Sequence, residues 1–189
     1  MIQRPQERGL FPVFEIDHRR DWNAGLLLEN TAGERGDTTS KIGELAEIME
    51  NAGTGLISGI CLDTCHAFAS GYDLRTCNGI EKIAADISSN IGKERLRLIH
   101  LNDSKKQIGA GIDRHEHIGE GMIGIPGFTH LLNHPFFEEV PLILETPKNT
   151  DADDPRNLRV VRSLIKMSAN EMAFPAASDY RSIISKLPE

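Results

Sequence analysis

The chain has 189 residues and a formal net charge of -7, which predicts one domain with room for a substantial core and argues against broad non-specific affinity for nucleic acid. No run approaches the ~20 apolar residues of a membrane span, and the N-terminus lacks the charged-then-apolar layout of a secretory signal, so no membrane partner and cytoplasmic residence are expected. Cys61, Cys65 and Cys77 are odd in number and lack CxxC spacing, which fits thiols in a reducing compartment better than a disulfide framework.

Residues 1–24 form an unassigned N-terminal segment in which Phe11, Val13, Phe14 and Ile16 suggest a strand, though no periodicity holds. Leu26-Leu27-Leu28, ending in Glu29-Asn30-Thr31, reads as a buried strand. Ile42, Leu45, Ala46 and Met49 follow helical spacing, with Thr39 or Ser40 as the cap and Gly53 as the stop. The pattern then repeats. Leu56–Leu62 is a second strand, ending in Asp63-Thr64-Cys65-His66 and followed by a polar loop and a helix over Gly79–Asn90. Leu96–Leu101 is a third, with His100 at its end, and a long loop leads from it through Asp113-Arg114-His115 to a short helix holding Phe128, Leu131 and Leu132. Val140–Leu144 is the fourth strand, ending in Glu145-Thr146-Pro147, and Asn157–Met167 is its helix. Residues 168–189 form a C-terminal tail.

A βα unit repeated four times with near-continuously apolar strands predicts an α/β fold of TIM-barrel type, its parallel sheet covered on both faces. Each strand ends in a side chain able to hold a metal: Glu29, Asp63, His100 and Glu145. Functional groups in such barrels come from the C-terminal ends of several strands. Strand alternation puts Leu27 with Glu29, Cys61 with Asp63, Leu98 with His100, and Ile143 with Glu145 on common faces. Three carboxylates and an imidazole at one mouth could not all stay charged without cations. Mixed His and carboxylate ligation suits Zn, Mn or Fe better than Mg or Ca. Asp113 and His115 add two donors spaced so that both face one ion. Taken singly, Asp63 could instead cap the following turn, and His117, His130 and His134 read as satisfied side chains, Phe68 and Tyr72 as packing.

ENTAG (29–33), CLDTCHAFASGYD (61–73), HLNDSK (100–105), DRHEHIGEG (113–121) and LILETP (142–147) resemble endonuclease IV, the metal-dependent AP endonuclease family of base excision repair. The resemblance spans residues 25–165, within a half-barrel segment taken as 25–167. It implies a TIM barrel with a trinuclear zinc site, hydrolysing the phosphodiester 5′ to an abasic site. In that reading Glu29 bridges two zincs, and Asp63, His100 and Glu145 complete one of them. His66, Asp113 and His115 hold another. Glu29 and Glu145 are the catalytic carboxylates, while Arg114, Lys105 and Lys106 contact phosphates of the abasic-site DNA.

The family's barrel has eight strands, and these motifs correspond to its last four. Its first half supplies two histidines to the zinc that shares Glu29, together with loops that distort the duplex. His18, the sole histidine upstream of Glu29, matches none of its motifs. Two of the three zinc positions therefore have their ligands here. Four strands leave edges and an inner face exposed, which points to self-association, coverage by residues 1–24 or poor solubility, with an N-terminal half as a further partner. Two other readings stand beside an AP endonuclease: a non-catalytic zinc-binding half-barrel or subunit, and a xylose-isomerase-like sugar isomerase. DRHEHIGEG with DTCH favours the nuclease family over the isomerases.

Overall fold

The computed structural model describes residues 2–3, 13–14, 25–52 and 57–165. Along the chain, β1 (Ile2–Gln3) and β2 (Val13–Phe14) form a short antiparallel pair. Then come β3 (Leu26–Glu29), α1 (Ile42–Asn51), β4 (Ile57–Asp63), α2 (Thr64–Ala69), α3 (Cys77–Asn90) and β5 (Leu96–His100). The series ends with β6 (Asp103–Ser104), β7 (His115–Glu116), α4 (Gly124–Leu132), β8 (Leu142–Ile143) and α5 (Asp153–Ile165). Strands β3, β4, β5 and β8 form one sheet in that order, every pairing parallel. This is the βα repeat of a TIM-barrel-type fold.

Register sorts the side chains. Leu28 lies opposite Ile60, and Leu62 opposite Ile99, which faces Leu142. These residues point at the helices and pack with Ile42 and Leu45 of α1, Ile80, Ile83 and Ile87 of α3, Phe128 and Leu131 of α4, and Val161 and Leu164 of α5. On the other face Glu29 lies opposite Cys61, which faces Leu98, and one row further Asp63 lies opposite His100, which faces Ile143. The apolar runs predicted cover on both faces. Among the described residues helices cover one face only, and Ile143 remains 48% exposed.

Helix boundaries follow local chemistry that hydrophobic spacing alone does not report. Helix α1 caps at Lys41 rather than Thr39 or Ser40, because the Glu44 carboxylate reaches back to accept from the Lys41 N–H at 2.8 Å and from Ser40 Oγ at 3.3 Å. Thr39 instead closes the loop after β3, its carbonyl accepting from Thr31 N–H. Helix α3 starts at Cys77 because Thr76 Oγ1 accepts from Gly79 N–H at 3.1 Å. Helix α5 starts at Asp153, whose carboxylate takes the amides of Asn149 and Thr150 at 2.8 and 2.7 Å. Strand β8 keeps two residues of the expected five: Pro141 before it has no N–H to give a ladder, and Leu144 after it lies beyond the last paired residue, Ile143. Gly53, Leu56, Met167, the tail 168–189, His18, Phe11 and Ile16 lie outside the described residues. No described helix is long and apolar enough to cross a membrane.

Candidate metal centre

The four strand ends bring their polar side chains to one place. Glu29 closes β3, Asp63 closes β4, His100 closes β5, and Glu145 follows β8 by two residues. One donor atom from each lies within 4.8 Å of the other three. Asp63 belongs also to a second such group, with His66 and His115. His66 comes from α2, a helix that hydrophobic spacing does not predict, which begins where Asp63 Oδ1 accepts from the His66 N–H at 2.8 Å. Asp63 is thus both a helix cap and a donor at the site. Asp113 comes from the loop between β6 and β7, and His115 opens β7, which pairs antiparallel with β6.

The short distances are between atoms that do not hydrogen-bond. His100 Nδ1 lies 3.3 Å from Glu29 Oε1 and 3.2 Å from Glu145 Oε2. His66 Nε2 lies 3.2 Å from Asp113 Oδ2, and His115 Nε2 lies 3.2 Å from Asp113 Oδ1 and 3.7 Å from Asp63 Oδ2. Yet His66 Nε2, His100 Nδ1 and His115 Nε2 are buried and have no hydrogen-bond partner. Buried polar atoms are rarely left so, because an unmade bond costs about 1–3 kcal/mol. The spacing matches a set of metal ligands. With bonds of about 2.0–2.1 Å, the edge of a tetrahedron is about 3.3–3.4 Å.

Backbone carbonyls orient two of the rings. Asn30 O lies 2.9 Å from His66 Nδ1, and Glu145 O lies 2.9 Å from His115 Nδ1. Each carbonyl accepts the Nδ1–H and leaves Nε2 free to ligate, the outer-shell arrangement usual for metal-bound histidine. The rings of His66 and His115 stand 5.5 Å apart at 43°.

Charge points the same way. Burial lowers the His66 pKa, but Glu29, Asp63 and Asp113 outweigh it and push His66 up to about 10. Burial raises Glu29, while His66 and His100 outweigh it and hold it below the usual carboxylate range. Burial lifts Asp63. Without a cation, protons answer the excess negative charge here. Cys61 lies within reach of Glu29 and His100, and Cys65 within reach of Asp113 and His115. Burial pushes these thiols up to about 12 and about 11, which leaves the carboxylates and imidazoles as the better ligands.

Lys105, Lys106 and Arg114 are exposed. Arg114 Nη1 donates to the Asp113 carbonyl at 2.7 Å, and Lys105 Nζ lies 3.8 Å from Glu116.

Residues 12–167 match the family model described as xylose isomerase-like TIM barrel. The chain belongs to that family. Similar members include the probable endonuclease 4 of Methanoculleus marisnigri, 48% identical over 139 residues that make up 74% of this chain and 49% of that protein. The probable endonuclease 4 of Aquifex aeolicus is 49% identical with the same coverage. Among solved structures, endonuclease IV from Thermus thermophilus superposes with a TM-score of 0.67 at 34% identity, over 76% of this chain and 50% of that one. The resemblance drawn from the motifs is borne out. The chain spans about half the length of the curated relatives it matches.

Three further residues of this barrel segment shape the site; Asn30 and Asp103 stand within ENTAG and HLNDSK without a role there, and Asn157 lies outside the motifs. Asn30, beside Glu29, donates to the Asp63 carbonyl at 3.1 Å and accepts from the Asp63 N–H at 2.7 Å, tying the ends of β3 and β4. The buried Asp103 carboxylate accepts from the amides of Ser104, Gly119, Gly121, Ile123 and Gly124, folding the turn that follows His115. A side chain at Gly121 would collide with that carboxylate. Asn157 of α5 reaches His117 Nδ1, Thr146 Oγ1 and the Ile118 N–H, each at 3.0 Å, and so joins the His115 loop to the Glu145 loop. His117 is accordingly a satisfied side chain. His134 lies 3.2 Å from Glu81, and His130 Nδ1 lies 3.0 Å from Cys77 Sγ.

Proposed function

We propose that this chain carries the metal centre of an endonuclease IV-type AP endonuclease and acts on DNA containing abasic sites in base excision repair. The observation that carries the reading is the set of three buried, unpartnered imidazole nitrogens ringed by Glu29, Asp63, Asp113 and Glu145. Glu29, Asp63, His100 and Glu145 would hold one zinc, and His66, Asp113 and His115 a second, with Mn or Fe fitting the same donors. When bound, grouped divalent cations polarise a phosphodiester and supply a hydrolytic nucleophile near neutral pH.

The chain's own groups do the rest. Glu29 and Glu145 place negative charge on either side of His100 Nδ1, and Asp113 lies between His66 and His115. Arg114, Lys105 and Lys106, exposed beside this loop, are the groups for phosphates flanking the abasic nucleotide. A third zinc would have Glu29 as its single ligand among the seven residues, and zinc sites use three or four. The reading therefore includes a partner, an N-terminal half-barrel or a second copy, that completes ligation and holds the duplex. Positioning of that kind is worth several kcal/mol of the barrier, on the order of 7–11 at best. The five motifs and the endonuclease relatives favour this reading over a sugar isomerase.

The test is incision of a duplex containing one tetrahydrofuran site. With zinc, the isolated chain should cut far more slowly than a full-length relative, or not at all. Adding a separately produced N-terminal half of such a relative should restore cutting, and chelator should remove it. No cutting in any combination would leave a zinc-binding subunit without nuclease activity. Rapid chelator-sensitive cutting by the chain alone would show that no partner is needed.

A further inference from the structure

We propose that Asn102 is a positioning residue of the metal centre, fixing the Asp63 carboxylate and the Glu145 backbone in the arrangement a divalent cation requires. The proposal rests on the metal-centre reading above. Asn102 is fully buried and lies two residues past His100, in the turn from β5 to β6. Its Nδ2 donates to Asp63 Oδ2 at 2.7 Å, and its Oδ1 accepts from the Glu145 N–H at 2.8 Å. One side chain thus spans from the end of β4 to the end of β8, across the strand that delivers His100.

Its own place is set by Thr64, the neighbour of Asp63. Thr64 Oγ1 accepts from the Asn102 N–H at 2.8 Å and donates to the Asn102 carbonyl at 2.7 Å. The arrangement stands where the sheet runs out. The last ladder bond between β5 and β8 is Leu101 N–H to the Ile143 carbonyl at 2.8 Å, so beyond it the Glu145 amide needs a partner from elsewhere. Asn102 supplies that partner and with the same group orients a carboxylate. An amide offers a donor and an acceptor in one short planar unit, whereas an ionised aspartate lacks the donor and leucine has neither.

The bond to Asp63 is what separates positioning from support of the fold. Asp63 Oδ1 is held by the His66 N–H and Oδ2 by Asn102, so the carboxylate is gripped at both oxygens and cannot swing. Asn30, equally buried, bonds the backbone of Asp63 and leaves its carboxylate untouched. Outer-shell partners of metal ligands typically change affinity by about 10–100-fold when removed.

The experiment compares the full chain with Asn102→Ala by competition of Zn²⁺ against a chromophoric chelator and by the visible spectrum of the Co²⁺-loaded protein. Ile80→Val, in the α3 part of the helix-side core, is the control for lost stability. The expected result is that Asn102→Ala binds Zn²⁺ about 10–100-fold more weakly and shifts the Co²⁺ bands, while Ile80→Val lowers the melting temperature and leaves both unchanged. Affinity and spectrum like those of the parent would overturn the proposal, as would a loss shared by Ile80→Val. If Asn102→Ala does not fold, Asn102→Ser takes its place, and the same two results support or overturn the proposal. A parent chain that takes up neither ion would sink the metal-centre reading itself, a result distinct from equal binding by parent and variant.

Discussion

The two faces of the sheet share their strands and little else. In β4, Ile60 and Leu62 point at the helices and are fully buried, while Cys61 and Asp63, alternating with them, point at the candidate metal centre. The helix-side face is an apolar core built with α1, α3, α4 and α5. The opposite face carries the carboxylates and imidazoles at its end, and its apolar residues, Ile143 above all, are left partly uncovered. A period of two therefore separates stability from chemistry within a single strand. A substitution one residue along should change the kind of property affected, not merely its size.

The sharpest way to break this comparison is to truncate one side chain from each face. Leu62→Ala leaves a cavity between β4 and the helices and should cost about 2–5 kcal/mol of unfolding free energy. Ile143→Ala removes a half-exposed side chain and should cost no more than about 0.5 kcal/mol. Urea denaturation of the two variants beside the parent measures both. Equal losses would mean that the inner face is as well covered as the outer one.

That the faces differ is legible in part from the sequence. Strand alternation places Glu29, Asp63, His100 and Glu145 on one side because register makes every second residue equivalent, and the motifs add His66, Asp113 and His115. What the sequence does not disclose depends on contacts distant along the chain. Helix α2 is too short for a periodic signal, and its C-terminal carbonyls are met by Gly109 and Gly111 from a loop forty residues on. The β6–β7 pair is two residues a side and is held by the Asp103 carboxylate, whose five amide partners no spacing rule anticipates. Asn30 looks like the polar end of a strand and Asn157 like the first residue of a helix; only the structure shows what they bridge. The apolar runs foretell burial but not what supplies it: β4 is buried on both sides from Gly59 to Asp63, and on its inner face the neighbours are carboxylates and imidazoles rather than helices.

Metal loading sharpens the comparison from the other face. Any ligand that binds only the folded chain stabilises it by RT ln(1 + [L]/Kd), about 2.7 kcal/mol at a hundred times Kd. Zinc should therefore raise the melting temperature of the parent, and chelator should reverse the rise. His100→Ala removes a donor from the four-residue group and should abolish most of it. The core variant Leu62→Ala should melt lower yet keep its full response to zinc. A response lost in Leu62→Ala and kept in His100→Ala would invert the assignment of the two faces.

The smallest effect concerns the thiols, and it asks how far the open face is open. Cys77 is exposed in the first turn of α3, beside His130. Cys65 is fully buried in α2, and Cys61, though on the inner face, is only 3% exposed, with donor atoms of Glu29 and His100 within 4.8 Å of its thiol. Burial also pushes the Cys61 and Cys65 thiols up to about 12 and about 11, so both are protonated at pH 8 and react slowly for that reason as well. Ellman's reagent at pH 8 should then find one fast thiol in the native chain and three after unfolding. Cys77→Ser should remove the fast phase entirely, with no change in melting temperature beyond about 0.5 kcal/mol equivalent. If Cys61 reacts as fast as Cys77, the inner face is open at its floor as well as at its rim. In that case zinc, drawing Glu29 and His100 together above the thiol, should slow Cys61 and leave Cys77 unaffected.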